Sequence, residues 1–225
     1  RGGWYERRPK VLVTGLRTEP FAHIGEVIHT PLIITEVATD YVAVRNAIDR
    51  IRDTDHVVFT SRTAVDYFIR ELLAAGQDVR ALANCTIAAL GDSTVEALAR
   101  FALCADIVGD GSGAEGLLFA YRAARVRGAR ILLPTSDIAR ITLAEGLRAE
   151  GNQVEVLTIY QTTPSSNPIR EDLSSFTHLA LSSPSGVDAF RALYGERLPI
   201  DMQIFVLGEL TAEAVHKFYP HHEVH

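Results

Sequence analysis

The sequence predicts an α/β protein built from two parallel-sheet domains, one inserted in the other. Three observations predict it. Short β-branched or Leu-rich runs alternate with helical patterns almost throughout, as βαβ units require. Two different motifs each occur twice and in the same order: HVVFTSRTAVDYF (56–68) returns as HLALSSPSGVDAF (178–190), and TIAALGDSTVEAL (86–98) as QIFVLGELTAEAV (203–215). Two apolar runs outside both copies, PLIITEV and VEVLTIYQTTP, flank the block that holds the complete first copy.

In order, the expected strands are KVLVTG (10–15), PLIITEV (31–37), HVVFTS (56–61), TIAALG (86–91), ADIVG (105–109), RILLPTS (130–136), VEVLTIYQ (154–161), HLALSS (178–183) and QIFVLG (203–208). Helix grammar fills the gaps. Val65, Phe68, Ile69, Leu72 and Leu73 fall on one apolar stripe that Gly76 ends. Thr63 to Asp66, Ser93 to Glu96 and Ser185 to Asp188 have the spacing of capping boxes. The insertion places a discontinuous domain at 8–36 plus 163–225 and an inserted domain at 39–156, with crossings near 31–38 and 155–165. TTPSSNPIRED fits a surface linker after the return crossing. The second copy is shorter than the first, and the chain neither begins with Met nor ends on a finished strand, so it reads as a segment of a longer polypeptide.

With 225 residues, 47% hydrophobic and 22% charged, the chain can bury two cores of ordinary domain size. No apolar run reaches the roughly 20 residues of a membrane span, and RGGWYERRPK is not a signal peptide. A cytoplasmic location without membrane partners is expected. The net charge of −6, with no basic stripe, argues against nucleic acid. The only lysines are Lys10 and Lys217, and the remaining cations are arginines suited to planar contacts with carboxylates. Cys85 and Cys104 read as buried thiols rather than a disulfide or metal site. The histidines His221, His222 and His225 read as a solvated tail, so no metal is expected.

Each copy of the first motif places two small hydroxyl residues, Thr60-Ser61 or Ser182-Ser183, where a strand ends and a helix begins. Open α/β sheets bind ligands there, because free N–H groups and the helix dipole attract anions. The second motif offers Gly91 and Gly208, with Thr94 and Thr211 just inside the helix. The same residues also serve as ordinary helix caps. Nucleotide and hydrolase signatures are absent: GDGSGAEG (109–116) does not match GxGxxG and reads as a surface turn.

The ordered set VLVTG, VVFTSRTAV, IAALGDSTVEAL, GAEGLL, ILLPTSDIARITLAEGLRAEGNQVEVLTIYQTTP, LALSSPSGVDAF and FVLGELTAEAV resembles uroporphyrinogen-III synthase over nearly the whole chain. The resemblance implies two flavodoxin-like domains joined by a two-stranded linker with the site in a cleft. It implies closure of hydroxymethylbilane to uroporphyrinogen III, with inversion of the last ring, loss of water and no cofactor, by a monomer. Tyr160, in the YQT stretch, matches the family's recurrent tyrosine and is the expected weak general acid. Thr60, Ser61, Arg62, Gly91, Thr94, Arg140, Ser182, Ser183, Gly208 and Thr211 are the expected substrate contacts, with Arg17 assisting. Departures are VTGLR for VTRP, Arg62-Thr63 for Pro-Asn and Thr135-Ser136 for Arg-Gly. They leave a second reading open, a tetrapyrrole- or anion-binding sensor of the same fold. WYERRPKVLVTG resembles the junction of a fusion with a uroporphyrinogen-III methyltransferase.

Overall fold

The structure, a computed structural model, describes residues 8–138 and 141–225. The chain divides into two units, one holding the chain up to Ile34 together with Thr163–His225, the other Thr35–Thr162. In chain order the strands are β1 (Lys10–Val13), β2 (Glu26–His29), β3 (Ile33–Val37), β4 (His56–Phe59), β5 (Thr86–Ala89), β6 (Ile107–Val108), β7 (Arg130–Ser136), β8 (Gln153–Pro164), β9 (His178–Leu181) and β10 (Gln203–Val206). The helices are α1 (Tyr41–Asp49), α2 (Arg62–Ala74), α3 (Asp92–Ala99), α4 (Ala114–Ala123), α5 (Thr142–Ala149), α6 (Pro184–Tyr194) and α7 (Glu209–Phe218).

The discontinuous unit has a parallel sheet in the order β10-β9-β1-β2. Successive side chains of a strand face opposite ways, so β1 divides its residues between two cores. Leu12 joins Leu179, Leu181 and Ile204 beneath Val187, Phe190, Val215 and Tyr219 of the α6/α7 side. Val11 and Val13 face the other way, with Ala180, under Phe21. The sequence pattern missed β2, because this edge strand is half exposed and has no apolar run to reveal it. The histidine tail keeps His221 and His225 exposed, as expected, but its backbone is paired. Val224 bridges Ile204 in parallel, the Ile204 N–H donates to the Glu223 carbonyl, and the Val206 and His225 N–H groups donate to the His225 and Ile204 carbonyls. This isolated bridge covers part of the edge of β10.

In the inserted unit the order is β3-β8-β7-β4-β5-β6, and the pairs among β8, β7, β4, β5 and β6 are parallel. Val57, Phe59 and Leu132 pack on one face with α1, α2 and α3 through Ile48, Val65, Phe68, Leu72 and Leu98. Val58, Ala88, Ile131 and Leu133 pack on the other with Leu117, Leu118, Tyr121, Leu143 and Leu147 of α4 and α5. The chain passes from one unit to the other along β3 and β8. These two run antiparallel: the Ala38 N–H donates to the Ile159 carbonyl, and the Ser165 N–H to the Leu32 carbonyl.

Both sheets are one design entered at different strands. β9, β10 and the Val224 segment correspond to β4, β5 and β6, and β1 and β2 correspond to β7 and β8. In its own chain order the discontinuous sheet has the flavodoxin-like succession, and the inserted sheet is the same sheet with its last two strands moved from the front of the chain to the back. Backbone details follow the correspondence. The Asp55 and Thr177 N–H groups donate to the Arg130 and Lys10 carbonyls, at 2.9 and 3.0 Å. In return the Arg130 N–H donates to Asp55 Oδ2 at 2.7 Å and the Lys10 N–H to Thr177 Oγ1 at 3.0 Å.

Three local expectations are corrected. The helices begin two residues before the anticipated capping boxes, with Ser61, Gly91 and Ser183 as N-caps in place of Thr63, Ser93 and Ser185. The strands end so close to the helices that the first available residue has to cap. Leu73 is 58% exposed, because it lies past the edge of the stripe that Phe68, Ile69 and Leu72 bury; Gly76, at φ 75°, does end the helix. Cys104 is exposed, in the turn after α3, whereas Cys85 is buried with its thiol 3.2 Å from the Thr54 carbonyl. GDGSGAEG does form a turn, closed by the Ser112 N–H and hydroxyl donating to Asp110 Oδ1.

Asp55→Ala and Thr177→Val should each lower stability by about 1 kcal/mol, the worth of one net hydrogen bond to an exposed group, in denaturant titration. Asp55 adds a pH dependence. The Arg130 N–H, with its guanidinium, holds the carboxyl below the ordinary value, so this contribution is complete at neutral pH and is lost as pH falls below about 4. In acid titration, Asp55→Ala should therefore converge on the parent protein.

Candidate functional site

At the carboxyl end of β4 the chain turns into α2 through Thr60 and Ser61. Ser61 is extended (φ −154°, ψ 157°), and its Oγ accepts the Ala64 N–H at 3.0 Å. Ser183 repeats this after β9 with φ −156°, ψ 155° and the Gly186 N–H at 3.1 Å. The adjacent strand end supplies a glycine cap in each unit, Gly91 for α3 and Gly208 for α7. The Leu90 N–H donates to the Phe59 carbonyl and the Leu207 N–H to the Leu181 carbonyl, so the two strand ends lie side by side in each sheet. Free N–H groups of two helices thus share one edge, an arrangement that favours anions.

The two glycines differ. Gly208 has φ 82°, in the left-handed region, whereas Gly91 is fully extended and a side chain there would meet open space. A Cβ on Gly15, after β1, would meet Ser182 Oγ, which would have to turn away. Beside Gly15, Thr14 Oγ1 is buried and has no hydrogen-bond partner among the described residues.

Tyr160 reaches this edge in the inserted unit because β8 is irregular. Thr135 pairs with Thr158 but Ser136 pairs with Tyr160, a bulge that leaves Ile159 extra. Strict alternation would turn Tyr160 to the side of exposed Thr158; the bulge instead buries Ile159 and Tyr160 consecutively in the α2 core. The Tyr160 hydroxyl lies 3.3 Å from Ser61 Oγ. Its ring stacks on Tyr67 of α2, with centroids 5.3 Å apart and planes 13° apart. Tyr67 in turn donates to Thr35 Oγ1 at 3.1 Å. Sequence reading missed Tyr67 and Thr35; the one available signal was an aromatic residue beside the apolar stripe of a helix that carries a candidate cap.

Other candidates fall as follows. Arg62 spans α2 and α3, its Nε donating to the Ser93 carbonyl at 3.1 Å and its Nη2 to Glu96 at 3.2 Å. Thr94 and Thr211 sit in the first turns of α3 and α7 and are each 2% exposed, so their side chains face protein. Arg17 is half-buried in the bend after β1, and Arg140 lies outside the described residues. Among the described residues no group of three or more His, Cys, Asp or Glu is placed to hold a metal ion. A pocket of about 400 Å³ opens at the amino-terminal edge of the inserted sheet, lined by Arg50, Arg130 and Glu155 among others and not by Ser61, Arg62, Gly91, Thr94 or Tyr160. Its arginines are already paired, Arg50 with Glu155 and Arg130 with Asp55, so the hydroxyl-rich carboxyl edge is the better candidate.

A family model described as uroporphyrinogen-III synthase HemD matches residues 21–223. Among curated proteins, porphyrin biosynthesis protein HemD of Ruminiclostridium josui is 24% identical, over 96% of this chain and 46% of its own length. A putative uroporphyrinogen-III synthase of Methanothermobacter thermautotrophicus is 30% identical over 53% of this chain and 47% of its own. The chain thus spans about half the length of the curated relatives it matches. Among solved structures, uroporphyrinogen-III synthetase of Helicobacter pylori aligns with a TM-score of 0.65 at 12% identity, over 96% of this chain and 92% of that one. A mutant uroporphyrinogen III synthase of Thermus thermophilus aligns at 0.60 and 19%, over 93% and 89%. At such identities these structures speak for the fold.

Gly208→Ala should destabilise more than Gly91→Ala by about 1 kcal/mol, the penalty of a left-handed conformation on a residue with a Cβ. Thermal unfolding of the two variants measures it.

Proposed function

Because the chain belongs to the uroporphyrinogen-III synthase family, we propose that it closes hydroxymethylbilane into uroporphyrinogen III, with inversion of ring D and loss of water. The family match across residues 21–223 carries the reading. The chemistry of the edge residues agrees with it.

The substrate is a flexible chain of four pyrroles bearing eight carboxylates, and it cyclises spontaneously without inversion. The protein's chief task is therefore to hold one conformation of a polyanion. We assign the grip to the helix starts: the hydroxyls of Thr60 and Ser182, the first N–H groups at Gly91 and Gly208, and the capped turns at Ser61 and Ser183. Such sites bind carboxylates without a basic pocket, which makes the net charge of −6 tolerable. Thr94 and Thr211 act beneath that surface, supporting the two glycine-capped turns. Arg62, already tied to Ser93 and Glu96, would meet a substrate carboxylate only in competition with Glu96.

Tyr160 is assigned the proton donor. Ser61 Oγ already accepts the Ala64 N–H, so its own proton is available to the Tyr160 oxygen 3.3 Å away. In that arrangement the phenolic proton is free for the departing hydroxyl of the substrate, which leaves as water while the pyrrole nitrogen supplies the electron pair.

The test generates hydroxymethylbilane in situ, adds the protein, oxidises the products and separates type I from type III isomers. Type III should dominate; type I alone at the spontaneous rate would overturn the synthase reading and favour a binding module. Tyr160→Phe should lower turnover by about a hundredfold, the low end for a general acid, while the protein stays folded. Wild-type turnover in that variant would remove Tyr160 from the reaction.

A further inference from the structure

Tyr160 stands at a bulge, where the regular ladder no longer dictates which way a side chain points. Something else has to aim it. One helix touches it twice. Ser61, the cap of α2, meets its hydroxyl, and Tyr67, inside the second turn of α2, meets its ring. Tyr67 is itself fixed by two further contacts. Its hydroxyl donates to Thr35 Oγ1 in β3, and the Arg70 guanidinium lies over its ring, 4.3 Å from the centroid. Through Tyr67, α2 therefore holds both strands along which the chain crosses between the units, β3 at Thr35 and β8 at Tyr160.

We propose that Tyr67 is a positioning residue for the reaction, holding the Tyr160 ring so that its hydroxyl stays at Ser61 and its proton faces the substrate. The inference rests on the assignment of Tyr160 as proton donor. Tyr67 acts through its planar ring, and the hydrogen bond to Thr35 sets the angle of that ring. Loss of the ring frees Tyr160 to swing, and a small misplacement of a catalytic group is costly in rate while leaving substrate binding nearly untouched.

The experiment compares Tyr67→Leu, Tyr67→Phe and Thr35→Val with the parent, and Tyr67→Leu again on top of Tyr160→Phe. It measures kcat, KM for hydroxymethylbilane, the type III to type I ratio and the thermal midpoint. Tyr67→Leu should lower kcat about tenfold with KM within about twofold. Tyr67→Phe, which keeps the ring, should recover most of the loss, and Thr35→Val should fall between parent and Tyr67→Leu. In the Tyr160→Phe background Tyr67→Leu should cost little more, because the group it positions is gone. Parent kcat in Tyr67→Leu, beside a slow Tyr160→Phe, would overturn the positioning role and leave Tyr160 in place. An equal further drop in the Tyr160→Phe background would make Tyr67 merely structural. Parent turnover in Tyr160→Phe would sink both assignments together. If Tyr67→Leu does not fold, Tyr67→Met, which fills the space without a planar ring, takes its place and is read the same way.

Discussion

In both units a buried parallel strand hands the chain to a helix within two residues, and this leaves the first N–H groups of the helix without partners at the edge of the sheet. Much of the candidate site depends on that constraint. Ser61 and Ser183 meet it with nearly identical backbone angles and the same hydroxyl-to-N–H bond. Gly91 and Gly208 meet it with bare backbone on the neighbouring strand ends. The remaining N–H groups at each edge are what an anionic ligand would use. Placing Ser61 Oγ as the Ala64 acceptor also brings its hydroxyl within reach of Tyr160.

The internal repeat goes deeper than the motifs. Asp55 and Thr177 have different side chains, yet each occupies the residue before its strand and makes the same reciprocal bonds, with Arg130 and Lys10. An Asp carboxylate and a Thr hydroxyl can both accept one N–H, so the backbone geometry persists where the sequence likeness is lost. The units differ in the strand at which the chain enters. The discontinuous one starts with the pair that the inserted one finishes on, which explains why KVLV and RILL play one role at opposite ends of their copies.

Legibility follows the range of the interaction. HVVFTS and HLALSS announced strands because their VVF and LAL runs, buried on both faces, are apolar throughout. EVIH did not, since β2 lies on an edge and buries little. Ser61 and Ser183 were readable as members of hydroxyl pairs, but the capping boxes two residues later drew the helix starts to the wrong place. A spacing rule carries no information on how soon the preceding strand ends. The backbone pairing of the histidine-rich tail was not legible, because a bridge made by N–H and carbonyl groups leaves few marks in side chains, and His221 and His225 stay exposed.

Local chemistry therefore determined, from the sequence by itself, the alternation of strand and helix, the duplicated hydroxyl and glycine turns, and Tyr160 as the aromatic hydroxyl of the YQT stretch. Each of these depends on residues within a few positions of one another. Tertiary structure alone decided where Tyr160 points, that Tyr67 stacks on it and Thr35 anchors Tyr67, and that Thr94 and Thr211 lie under the edge rather than on it. Those outcomes come from strand register, a one-residue bulge and packing between segments far apart in the chain, which no local pattern of residues encodes.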